Sequence, residues 1–143
     1  MFKRILVPLD GSETAEKVLS VVVEEARLHG AIVVLLRAIA PLRQSLMVGP
    51  RIINQVYEQV EYIAENYLEN IAERFQAEGI EVETIIVRGP PAQMVLEIAQ
   101  EKECDLIIIG TRGETGAFQW RLGSVANKII KARSTIPVMV ITT

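Results

Sequence analysis

The sequence predicts an α/β fold: a three-layer, open, doubly wound sheet of five parallel strands with helices on both faces. Three observations carry the prediction. Short apolar runs alternate with amphipathic helical periods from one end of the chain to the other. The runs Ile5-Leu6-Val7 and Leu106-Ile107-Ile108-Ile109 are apolar at every position, as strands covered on both faces are. Glycine or proline punctuates the junctions, at Pro8 and Gly11, Gly30, Gly79 and Gly89-Pro90-Pro91. Regular alternation of this kind implies parallel strands joined by right-handed helical crossovers.

The elements follow in order. Ile5 to Val7 is a strand that stops at Pro8-Leu9-Asp10-Gly11-Ser12. Ser12 is the expected N-cap of a helix with Glu13 and Glu16 in its first turn, Ala15, Leu19, Val22 and Ala26 inward, and Gly30 as its stop. His29, the sole histidine, reads as a last-turn cation favoured by the helix dipole. Ile32 to Leu36 is the second strand and leads into Arg37-Ala38-Ile39, and 41–51 reads as a mobile loop. Ile53, Val56, Val60, Ala64, Tyr67, Ile71 and Phe75 share one face of a long helix closed by Gly79. Glu81 to Val87 alternates polar with apolar, which suits a sheet edge. A third helix carries Met94, Val95, Ile98 and Ala99, and Leu106 to Ile109 belongs in the middle of the sheet. A fourth helix opens near Ser124, with Val125, Ile129 and Ala132 inward, and Pro137 to Ile141 is the closing strand.

Length and composition bound the function. A chain of 143 residues, half apolar and 23% charged, is sized for one domain spanning 1–143. A net charge of −3 argues against a nucleic-acid partner, which calls for a basic excess on one face. The lone Cys104 has no disulfide partner, and nothing beside it completes a metal site. A single histidine leaves no room for most His-based triads. The apolar run after Lys3-Arg4 breaks at Pro8 and Asp10, too soon for a signal peptide, and no stretch reaches the roughly 20 apolar residues of a membrane span. The expectation is a cytoplasmic protein without a membrane partner.

The segment from Gly110 to Ser124 contains Gly110, Gly113, Gly116 and Gly123. Glycines let backbone N–H groups approach a ligand without a Cβ in the way, and a helix opening at Ser124 offers unpaired N–H groups and a positive dipole end. Gly113 on one side and Gly123-Ser124 on the other are placed to close around a phosphate chain. The Ser124 hydroxyl has two roles open to it, helix N-cap or phosphate donor. Asp10 likewise reads either as a ligand acceptor or as the acid of an ordinary Asx-turn. The Walker loop is excluded because no Gly-Lys pair exists. The dinucleotide fingerprint is excluded because the first turn reads Asp10-Gly11-Ser12. A phospho-receiver domain is excluded as well. It needs an acid at the end of the third strand, where this chain has Val87-Arg88-Gly89, and a lysine after the fifth.

Gly110, two residues, Gly113, nine residues, Gly123 and then Ser124 match the nucleotide motif of the universal stress protein family, whose ATP-binding branch the chain resembles over essentially its whole length. Ile5 to Ser12 is similar to that family's first strand and acidic turn, and Ile136 to Ile141 to its closing strand. The resemblance implies a Rossmann-like fold of the adenine nucleotide alpha hydrolase kind. It implies a site in which Pro8 and Asp10 stand at the end of the first strand, with Asp10 accepting from ribose hydroxyls. Ala38 would offer backbone groups to the adenine edge, where the family often has valine. Gly110, Arg112 and Gly113 would line ribose and phosphates, and Gly123, Ser124 and Val125 would hold phosphate through N–H groups. Trp120 reads as a loop anchor and Arg121 as a solvated cation. The implied ligand is ATP, with Mg2+ held by its phosphates, and the implied assembly is a homodimer through the last strand. No catalytic residue stands out, so enzymatic action is limited to slow ATP hydrolysis or self-phosphorylation. An interaction module with an empty pocket is the remaining alternative.

Overall fold

The computed structural model describes residues 1–11, 15–42, 48–111 and 124–142, with 15 and 16 through their backbone alone. The chain runs β1 (Arg4–Pro8), α1 (Ala15–His29), β2 (Ile32–Ile39), α2 (Pro50–Ala77), β3 (Val82–Arg88), α3 (Pro91–Glu101), β4 (Leu106–Gly110), α4 (Ser124–Lys131) and β5 (Val138–Ile141). The described strands form one sheet in the order β3-β2-β1-β4-β5, and every neighbouring pair is parallel. Winding therefore proceeds from β1 through β2 to β3, then returns past β1 to β4 and β5. The direction reverses between β1 and β4.

Two apolar clusters, one on each face of the sheet, make three layers. Ile5, Val7, Val33, Leu35, Leu106 and Ile108 point to one side, where Val18, Leu19, Val22 and Ala26 of α1 and Leu68, Ile71, Ala72 and Phe75 of α2 cover them. The alternate residues Leu6, Val34, Leu36, Ile107 and Ile109 point to the other, against Val95, Ile98 and Ala99 of α3 and Ala126 and Ile129 of α4. Period-two alternation sends successive strand residues to opposite layers. Each strand that is apolar throughout thus has both sides covered.

The strand placements expected from sequence hold for β3, which is an edge. β4 is interior, flanked by β1 and β5, while β1 takes the centre. Four expectations are corrected. β2 continues to Ile39, because Arg37, Ala38 and Ile39 pair with Ile86, Val87 and Arg88. The inner face of α2 includes Leu68 and Ala72, whereas Val56 is 39% exposed although Ile53, one turn before it, is buried. In α4 the inward residues are Ala126 and Ile129. Ala132 is exposed because it lies beyond the last helical turn. Pro50 begins α2, so the segment after β2 is shorter than expected. The expected N-cap Ser12 lies outside the described residues.

The amino edge of the sheet is closed by charge. Both Asp105 carboxylate oxygens accept from the Lys3 N–H, at 3.0 and 2.9 Å, and one accepts from the Arg4 N–H at 3.0 Å. Asp105 therefore ties the start of β1 to that of β4. Glu83 takes the Arg4 guanidinium at 2.9 Å and the Lys102 ammonium at 3.0 Å. The Lys102 hydrogen bond, with Arg4 second among the cations, holds the Glu83 carboxyl below its ordinary value against the opposing effect of burial. Burial pushes the neighbouring Cys104 thiol up. His29 sits in the last turn of α1 with Nε2 3.3 Å from Glu25 and its ring edge-on to Phe2.

Candidate functional site

The opposite, carboxyl edge is built differently. The β1–β4 ladder has only two registered pairs, Ile5 with Leu106 and Leu6 with Ile107. It lies where the winding reverses, the position at which open parallel sheets form a crevice beyond the strand ends. On the β2 side the ladder outlasts β1 by one bond, from Leu9 N–H to the Leu36 carbonyl at 2.8 Å. The next residue is Asp10, half-buried, followed by Gly11 at φ +83. A left-handed glycine turns the chain sharply at no steric cost, which leaves Asp10 at the carboxyl edge of the sheet.

Carrying the β1–β2 register two rungs past Pro8 and the β1–β4 register four past Leu6 places Asp10 level with Ala38 on one side and with Thr111, next to Gly110, on the other. In a parallel ladder the N–H and C=O of alternate residues face the same neighbour. The Ile39 carbonyl accepts from Gly89 on the β3 side, and the Leu36 carbonyl accepts from Leu9 on the β1 side. Ala38, in phase with Leu36, therefore directs its N–H and C=O toward β1, beyond the end of that strand. Ala38 is not just past β2, as the sequence suggests, but inside it and paired with Val87. Its value to a ligand is an open main-chain edge.

On the far wall, Gly110 closes β4 opposite Ile141, and Thr111 extends the ladder with its N–H on the Ile141 carbonyl at 2.9 Å. Thr111 is 8% exposed and, among the described residues, the buried polar side chain of the fold. Sequence reasoning passed over it, although a threonine directly after the last strand glycine was the available signal. A helix that joins two neighbouring parallel strands runs antiparallel to them, so Ser124 and Val125 begin α4 at the carboxyl edge. No acidic residue lies in the first turn of α4, and Lys128 and Lys131 lie in its last. Its positive end is therefore not neutralised from within the helix. The structure brings Pro8, Asp10, Ala38, Gly110, Ser124 and Val125 to this one edge. Arg112, Gly113 and Gly123, with Trp120 and Arg121, lie outside the described residues. Among the described residues, no group of three acidic, His or Cys side chains could hold a metal, and no helix is long and apolar enough to cross a membrane.

These features define an open, doubly wound α/β protein whose winding reverses between β1 and β4. The universal stress protein family model matches residues 1–142. The chain is 32% identical to universal stress protein YxiE of Bacillus subtilis, with 99% of each chain covered. It is 35% identical to universal stress protein MJ0577 of Methanocaldococcus jannaschii, over 99% of this chain and 95% of that one. The solved structure of MJ0577 superimposes with a TM-score of 0.85 at 34% identity, covering 99% and 96% of the two chains. The universal stress protein of Archaeoglobus fulgidus in complex with dAMP aligns with a TM-score of 0.62 at 25% identity and 97% of both chains. The chain belongs to the universal stress protein family.

Proposed function

We propose that this universal stress protein binds an adenine nucleotide, ATP with Mg2+ on its phosphates, in the crevice between β1 and β4, and that occupancy serves regulation in the cytoplasm rather than turnover. The observation that carries the reading is the convergence at one sheet edge of an acceptor-only carboxylate, an open main-chain edge and an unneutralised helix start. Asp10 suits ribose hydroxyls, Ala38 offers one donor and one acceptor to adenine, and Ser124 and Val125 present N–H groups to phosphate. The glycine spacing from Gly110 through Gly113 to Gly123-Ser124 supports the same assignment, with Arg112 and Pro8 as further lining. The dAMP complex of the Archaeoglobus fulgidus relative supports the ligand class. Slow hydrolysis or self-phosphorylation is the second reading, and Asp10 is the acid that it would need.

The same reading makes the protein a homodimer of one-domain chains. β5 is an edge strand with no charged residue. The Pro137 and Ile141 carbonyls bond toward β4, so the alternate residues Val138 and Val140 turn their backbone groups outward. Such an edge invites pairing with a second copy. Titration calorimetry with ATP tests the site: Asp10→Ala and Gly113→Val are expected to weaken or abolish binding while the fold persists. Unchanged affinity in both variants would remove the site, and light scattering at monomer mass across concentrations would remove the dimer.

A further inference from the structure

The chain leaving β2 is held by a cluster that the nucleotide reading does not use. Tyr57 and Glu61 lie one turn apart on α2 and so share a face of that helix. The Tyr57 hydroxyl accepts the Leu42 N–H at 2.7 Å. The Arg88 guanidinium, at the end of β3, lies 4.3 Å from the centre of the Tyr57 ring, within cation–π range. The same guanidinium donates through Nε to Glu61 Oε1 at 2.6 Å and pairs with it again through Nη2.

Four consecutive constraints follow Ala38. The Ile39 carbonyl is fixed by Gly89 N–H at 2.9 Å. Ala40 precedes a proline and is confined to extended backbone, and Pro41 has a fixed φ. Leu42 is then tied to Tyr57. Together they tie the exit segment as far as Leu42 to α2. Arg88, paired with Glu61 and laid on the ring, is also kept from swinging across the strand ends.

We infer that Tyr57 is a positioning residue for base recognition: by holding Leu42 against α2 it keeps the main-chain edge of Ala38 open to the adenine, so that base selectivity depends on a side chain outside the crevice. This rests on the nucleotide reading above. The test is Tyr57→Phe, which keeps the ring under Arg88 and deletes only the acceptor. Three ligands separate the halves of the site: ATP, GTP and inorganic triphosphate, each titrated by calorimetry, with Leu42 amide exchange followed by NMR. The expected result is faster Leu42 exchange, ATP affinity lowered about three- to tenfold, and triphosphate affinity unchanged. The preference for ATP over GTP falls by the same factor. Tyr57→Leu, which also removes the ring, is expected to lower that preference further.

Faster Leu42 exchange with an unchanged ATP-to-GTP ratio would overturn the inference and leave the cluster a purely structural anchor. Equal weakening of all three ligands would overturn it too, because a general loosening does not distinguish base from phosphate. If the wild-type chain bound triphosphate but showed no preference for ATP, base positioning would be refuted while a phosphate site survived. If it bound none of the three, the nucleotide reading itself would fail, and this inference with it.

Discussion

Replacing Asp105 with alanine removes the acceptor that joins the amino ends of β1 and β4. Two donors lose their partner: the Lys3 N–H, which is open to water, and the Arg4 N–H, which is partly buried. A hydrogen bond to a charged group contributes about 1.5–3 kcal/mol, and the solvent-exposed one less. The sum is about 2–4 kcal/mol, a large share of the roughly 5–15 kcal/mol that holds a domain folded. With a urea slope of about 2 kcal/mol/M, the unfolding midpoint falls by about 1–2 M. Asp105 lies at the edge opposite the crevice, so ATP affinity of the folded variant is expected to stay within about twofold of wild type. Urea melts followed by circular dichroism measure the first effect and calorimetry the second. A midpoint within about 0.3 M of wild type would refute the claim that this carboxylate bolts the shortest ladder of the sheet.

Three further predictions come from the same structure. Glu103, just after α3, and Arg133, just after α4, hold φ +55 and +54, a left-handed conformation that costs a non-glycine residue about 1–2 kcal/mol. Glu103→Gly and Arg133→Gly are therefore each expected to raise stability by about 0.5–1 kcal/mol in urea melts. Gly89 has φ +157, and a Cβ there would lie 2.7 Å from Met94 Sδ and 2.8 Å from its Cγ. Gly89→Ala is expected to cost about 1–3 kcal/mol, with part recovered in the double variant that adds Met94→Ala. Glu83 titrates below its ordinary value of 4.5 in the fold. Its stabilising contribution is complete above that value and is lost as the pH falls through the lower folded one. Urea midpoints measured on the acid side are expected to fall less steeply for Glu83→Gln than for wild type.

The layer architecture was legible because the runs Ile5 to Val7 and Leu106 to Ile109 are apolar at every position, as parallel strands covered on both faces are. The edge position of β3 was legible from Glu81 and Glu83 alternating with Val82 and Thr84. What failed were the ends. Arg37 interrupts the apolar run of β2, so the strand seemed to stop at Leu36, yet its last three residues are held by pairing with β3, a tertiary effect that no local pattern records. Val56 fits the helical period of α2 but is 39% exposed, while Ile53 one turn earlier is buried, a difference in local cover that the period does not record. In the candidate site, Asp10 and Ser124, both at the carboxyl edge of the fold, were legible in the sequence as residue types. The orientation of the Ala38 main chain was not, because it depends on where β1 ends relative to β2. The Tyr57–Arg88–Glu61 cluster joins α2 to the end of β3, and no sequence period brings those residues together.

The central claim is that a nucleotide lies along the carboxyl edge, with its base at β2 and its phosphates at α4. Titrating the 15N-labelled chain with ATP and Mg2+ while following backbone amides by NMR tests it most directly. The account predicts saturable shifts at Ala38, Gly110, Thr111, Ser124 and Val125, with the Lys3 and Arg4 amides at the amino edge unmoved. Saturation without movement of those five amides, or shifts gathered around Asp105, would contradict it.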